Sequence, residues 1–136
     1  LDSASNTTKK ILASNSSFIE RAMAIKAIPD TIELYTGDGI ARMVVPSTLD
    51  GLKLNSIGAH VFTAGSSGIM LYNETKSVEI LTTGVIIEVS ETDSSTSGTP
   101  PLISANNTVN TADVLRIDVD TKSTGAKGLE VRMTFK

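Results

Sequence analysis

The sequence predicts an all-β fold, a jelly-roll-like antiparallel β-sandwich of about eight strands behind an extended polar N-terminal arm. Three observations carry this expectation. The last 24 residues, from Asp113 to Lys136, alternate apolar and polar side chains. Short apolar segments recur at a spacing of about 8–12 residues, separated by turn signals. No convincing long helix pattern and no internal repeat interrupts them.

The C-terminal stretch is the clearest. Leu115, Ile117 and Val119 fall on one side of a strand, with Arg116, Asp118 and Asp120 on the other. In a second strand Leu129, Val131, Met133 and Phe135 oppose Glu130, Arg132, Thr134 and Lys136. Side chains alternate across a strand, so each strand has one dry and one wet face. Joined by Thr121–Lys127, with Gly125 and Gly128 supplying backbone freedom, the two read as a final hairpin. Arg116, Asp118, Asp120, Glu130, Arg132 and Lys136 would then form a cross-strand charge ladder.

Taken from the start, residues 1–17 are polar, and only Ile11 and Leu12 offer an apolar anchor. They read as an arm or linker, and residues 18–136 as one β-sandwich domain. Phe18–Ile28 fits either a short helix capped by Ser16 or Ser17 or a strand over Ala22–Ile28. The β character of the rest favours the strand, and Pro29 is expected to end it. Thr31–Thr36 alternates, with Ile32, Leu34 and Thr36 on one side. Gly37-Asp38-Gly39 reads as a turn between two strands. Ile40–Val45 is a strand stopped by Pro46. Leu52–Thr63 is a long strand with a bulge at Gly58. Ile69–Tyr72, Val78–Leu81 and Val85–Ser90 are further strands. Glu91–Thr99 is a wet loop, and Leu102–Ala105 an edge strand beyond Pro100-Pro101.

At 136 residues the chain fits one domain with its own core. Hydrophobic residues make up 40% and charged residues 20%, which places it among globular chains. The net charge is −3, with no basic cluster, and aromatics are 4% with no Trp. Nucleic-acid grooves need Lys/Arg clusters and stacking rings, so a nucleic-acid partner is not expected. No apolar run approaches membrane-spanning length, and no membrane partner is expected. There is no Cys, which removes thiol chemistry and disulfides from consideration. The chain opens on Leu1 without Met, as in a trimmed or partial product. Sequons at Asn6, Asn15, Asn73 and Asn106 are what a chain this rich in Asn, Ser and Thr makes by chance.

Candidate chemistry is sparse. His60 is the sole histidine and lies inside a strand without a G-x-S-x-G elbow. Asp118, Asp120 and Glu130 have the composition of a glycosidase pair or a Ca²⁺ site, but basic residues share their face and no EF-hand loop is present. Met43, Met70 and Met133 read as core fillers. Most of Tyr35, Tyr72, Phe18, Phe62 and Phe135 are expected to face the core. No catalytic residue, cofactor or metal is therefore expected. The residues singled out for interaction are Lys9, Lys10, Ile11, Leu12 and Phe18.

Three segments resemble a β-domain of tailed-phage virion proteins: Gly37–Leu54, Val78–Thr92 and Ala112–Phe135. Members often read G-D-G-K-x-x-F-x-[IV]-P-x-x-L-x-G at the first and G-D-x-L-x-[IV]-D-V-D…A-K-G-L at the last. Here Ile40 replaces the Lys, and Ala112 stands where the Gly before Asp113 is usual. The resemblance implies a jelly-roll-like, non-enzymatic component of the phage particle surface: a capsid decoration (cement) protein, a head fibre or a tail-fibre module. It also implies a homotrimer whose partners are sister subunits and the major capsid protein, with residues 1–17 lying on the shell or on an adjacent protomer. A fibre module would instead present Glu91–Thr99 and Asn106–Asn110 to a host receptor or glycan. The same resemblance favours a strand over Ala22–Ile28.

Overall fold

The computed structural model describes residues 20–136. They form an antiparallel β-sandwich of ten strands: β1 (Arg21–Glu33), β2 (Gly37–Val44), β3 (Leu54–His60), β4 (Ser67–Asn73), β5 (Val78–Glu79), β6 (Leu81–Thr83), β7 (Val85–Ile87), β8 (Leu102–Ile103), β9 (Val114–Lys122) and β10 (Lys127–Phe135). One sheet has the order β1-β10-β3. The other runs β2-β9-β4-β5, and β7 joins the same edge of β4 further along. A small β6-β8 ladder completes the set.

The first four strands alternate between the two sheets, and so do β9 and β10. β1, β3 and β10 belong to one layer, and β2, β4 and β9 to the other. The first strand pairs with the last and the second with the last but one, which is the winding of a jelly roll. The dry faces fall as the alternation requires. Leu115, Ile117 and Val119 on β9 meet Leu129, Val131, Met133 and Phe135 on β10, all at most 1% exposed. Ile69 and Leu71 of β4, with Leu54 and Ala59 of β3, extend the same core.

This winding corrects several expectations. β9 and β10 are not a hairpin: residues 123–126 carry the chain from one sheet to the other. Gly37-Asp38-Gly39 is likewise no hairpin turn but the opening of β2 after a sheet change. Two strands of suitable polarity in one chain look alike whether they pair or face each other across a core, because both arrangements bury the same side. Pro29 does not end its strand. β1 continues to Glu33 through register shifts on either side of Ile28. Proline is tolerated because β1 is a sheet edge, where a missing N–H removes no ladder bond. Beyond the shift the expected side is not kept throughout: Leu34 is buried, but Ile32, expected beside it, is 47% exposed. Gly58 lies in regular register with Arg132, and the irregularity in that ladder falls between Thr134 and Phe135.

Met43 and Met133 are buried and Met70 packs against the core, as expected. Of the aromatics, Phe135 is buried but Tyr35 and Phe62 are over half exposed. The Asn73 sequon is buried, its amide donating to the Asp113 carboxylate at 3.0 Å, and so is closed to modification.

Ala112 adopts φ 70°, a left-handed conformation that a Cβ disfavours. Its N–H donates to the Val45 carbonyl at 2.8 Å, which holds it there. Ala112→Gly is expected to stabilise the fold by up to about 1 kcal/mol, with the added freedom of the unfolded chain offsetting part of the relief. A higher urea midpoint at unchanged slope would show it.

Candidate functional site

The residues singled out for interaction, Lys9, Lys10, Ile11, Leu12 and Phe18, lie outside the described residues. Within them, a groove of about 670 Å³ lies on the outer face of the three-stranded sheet. Its floor consists of matched rows. Ala22 of β1, Thr134 of β10 and Ser56 of β3 lie side by side, as do Ala24, Arg132 and Gly58. Ser94, Ser95, Ser97, Pro100 and Pro101 from the long loop before β8 line it as well. The lining is mostly apolar and its side chains are small, so another backbone can come close.

Asp93 fixes the loop to the sheet. Arg132 donates to both of its carboxylate oxygens, at 2.9 and 2.8 Å, and His60 Nδ1 lies 3.1 Å from Oδ2. The carboxylate also accepts from the Ser95 N–H at 2.9 Å, capping the single helical turn Ser94–Thr96. Next to it, the buried Ser94 hydroxyl accepts the Ala59 N–H at 2.9 Å. Together with the Val61 N–H bond to the Thr92 carbonyl, these contacts cover the outer edge of β3, which would otherwise offer open pairing groups. Gly58 is part of the device. A Cβ there would stand 2.7 Å from the Arg132 guanidinium, so a larger residue would displace the arginine from its place across the strand toward Asp93.

The Arg132 guanidinium, ahead of opposing burial and the Ser95 and His60 contacts, holds the Asp93 carboxyl well below its ordinary value of 3.8. A depressed folded value means that the stabilisation is full above the ordinary value and is lost as pH falls through it toward the folded one. Asp93→Asn is therefore expected to lower the urea midpoint at neutral pH, and its gap from the parent should narrow on acidification to about pH 3.

The expected ladder of charges is divided between the two sheets. Asp118 is 3% exposed and accepts from Arg116 at 2.8 and 2.9 Å and from the Gly39 N–H at 2.8 Å. The Arg116 guanidinium also stacks 4.3 Å from the Tyr72 ring centre. Burial first, then repulsion from Asp118, pushes the carboxyls of Glu79 and Asp120 up. Glu130 belongs to the other sheet, between Lys26 and His60, and so does not meet these acids. His60 meets an acid, but among the described residues no hydroxyl hydrogen-bonds its ring.

Sequence reasoning missed the pairing of Asp93 with Arg132. The E-T-D-S-S run signals a turn, but nothing local says which strand that turn is clamped to. No known family model matches this chain, and neither a curated protein nor a solved structure matches it.

Proposed function

We propose that this chain is a non-enzymatic structural component of a tailed-phage virion, a capsid decoration protein that binds the major capsid protein as a homotrimer. The observation that supports this reading is that residues resembling the virion motif occupy turn and core positions. Gly39, Gly51, Ala112 and Gly128 take φ of 70°, 76°, 70° and 72°, each at a position where the motif carries glycine. Met43, Val45 and Leu49 are buried where it carries apolar residues. Pro46 leads into the helical turn Ser47–Leu49. Asp113 is buried and accepts from Asn73 and from the Asn110 N–H, each at 3.0 Å. A motif made of turns and core positions belongs to a scaffold whose function lies in the surfaces it presents.

In this reading residues 1–17 make the contact with the shell or with an adjacent protomer, with their ordering coupled to binding. Copy number on the particle is the decisive measurement. Hundreds of copies in a cryo-EM map of the virion are expected. A few copies would identify a fibre module, and absence from the particle would overturn the virion reading. Deleting residues 1–17 should abolish particle binding while the sandwich stays folded. Normal occupancy by the truncated form would refute the arm's role.

A further inference from the structure

We infer that the groove on the three-stranded sheet is the docking site of this chain's own N-terminal segment, with the uncharged stretch Ile11–Ile19 folded back across it. The first argument is where the chain enters. The described residues begin at Glu20, two positions before Ala22 in the groove floor. Glu20 already leans across the sheet: its carboxylate accepts from the Asn55 amide on β3, on the far side of β10. The backbone leading into β1 is thus tied at the lip of the groove, and the preceding residues start beside it.

Charge is the second argument. Among the described residues Arg132 is the only ionisable side chain lining the groove, and its guanidinium is engaged by Asp93 through two bonds. A site neutralised in this way favours an uncharged occupant, since an added charge would be desolvated without a free partner. Ile11–Ile19 reads I-L-A-S-N-S-S-F-I, nine residues without a charge. Lys9 and Lys10 mark where that stretch stops.

Reach and fit complete the case. Extended, the nine residues Ile11–Ile19 span about 30 Å, enough to cross three strands spaced about 4.8 Å apart. The floor of Ala, Ser, Gly and Thr admits a backbone at close range, and the Pro100-Pro101 side of the groove offers apolar contact to Ile11 and Leu12. In the virion reading the segment leaves this groove when it moves onto the shell, but the inference is independent of that reading.

The absence of cysteine from the sequence makes disulfide trapping clean. Ile11, Leu12 and Ala13 are changed to Cys one at a time, each with Ser97→Cys, and the free protein is oxidised mildly. An intramolecular crosslink, seen as a faster monomer band without reductant, is expected for at least one pair. No crosslink is expected when Asp120→Cys on the opposite sheet replaces Ser97→Cys. Crosslinked dimers would give the groove to a second copy and overturn the inference, as would the absence of any crosslink. In parallel, removing residues 1–19 should shift the amide resonances of Ala24, Gly58 and Ser97 while leaving those of β9 in place. Unmoved groove resonances would refute docking even if the sandwich remains folded. Both readouts use free protein, so their failure is distinct from a failure of the copy-number measurement.

Discussion

Phe135→Ala is expected to lower stability by about 3–5 kcal/mol, the range for removing a fully buried aromatic ring from a packed core. Phe135 is 0% exposed and is the largest of the fully buried side chains. It lies in the central strand of its sheet, opposite Arg21 of β1 and next to Leu54 of β3. Few neighbours are free to collapse into the space, because the backbone around it is held on both sides. The bonds between Lys136 and Lys53, at 2.9 and 3.1 Å, fix the strand just beyond it. Phe135→Leu keeps most of the volume and should cost about 1–2 kcal/mol. Urea unfolding at constant slope would measure both. A loss under about 1 kcal/mol for the alanine variant would show that the ring is not part of the closed core.

Gly128→Ala should be nearly as damaging, by about 2–4 kcal/mol, for a different reason. At φ 72° the residue is left-handed, which costs an L-residue about 1–2 kcal/mol. An added Cβ would also stand 2.9 Å from the Asp30 backbone Cα and 3.0 Å from Phe62 Cβ. The backbone atom cannot rotate away, so the bulged end of β1 has to move, which adds about 1–2 kcal/mol of overpacking. Gly51→Ala is the matched control. It has φ 76° and nothing within 4 Å of the built Cβ, so it should show the backbone contribution alone. Equal losses at the two positions would remove the steric part of the argument.

What could be read in advance followed from local chemistry. The inward residues of β9 and β10 were identifiable because their polarity alternates without a break. The sandwich class followed from the spacing of the strands. What could not be read was partnership. The same alternation in Leu115–Val119 and Leu129–Phe135 serves a hairpin or two strands facing across a core, and β9 and β10 adopt the second arrangement. Pro29 looked like a stop because its tolerance depends on β1 being an edge, which is a property of the whole sheet. Gly58 looked like a bulge, yet its reason is the arginine lying over it, supplied by a residue far along the chain. Asp93 carried no signal for Arg132 for the same reason. The exposed Phe62 and Tyr35 show that ring size alone does not determine burial.

The pairing of β10 with both β1 and β3 sets the order of events during synthesis. The three-stranded sheet has no centre until the final strand exists, so a growing polypeptide on the ribosome holds β1 and β3 apart and unsatisfied. Folding of this sheet waits until β10 has cleared the ribosome, and a chain cut short before Lys127 leaves an exposed apolar layer, fit for chaperone capture or proteolysis.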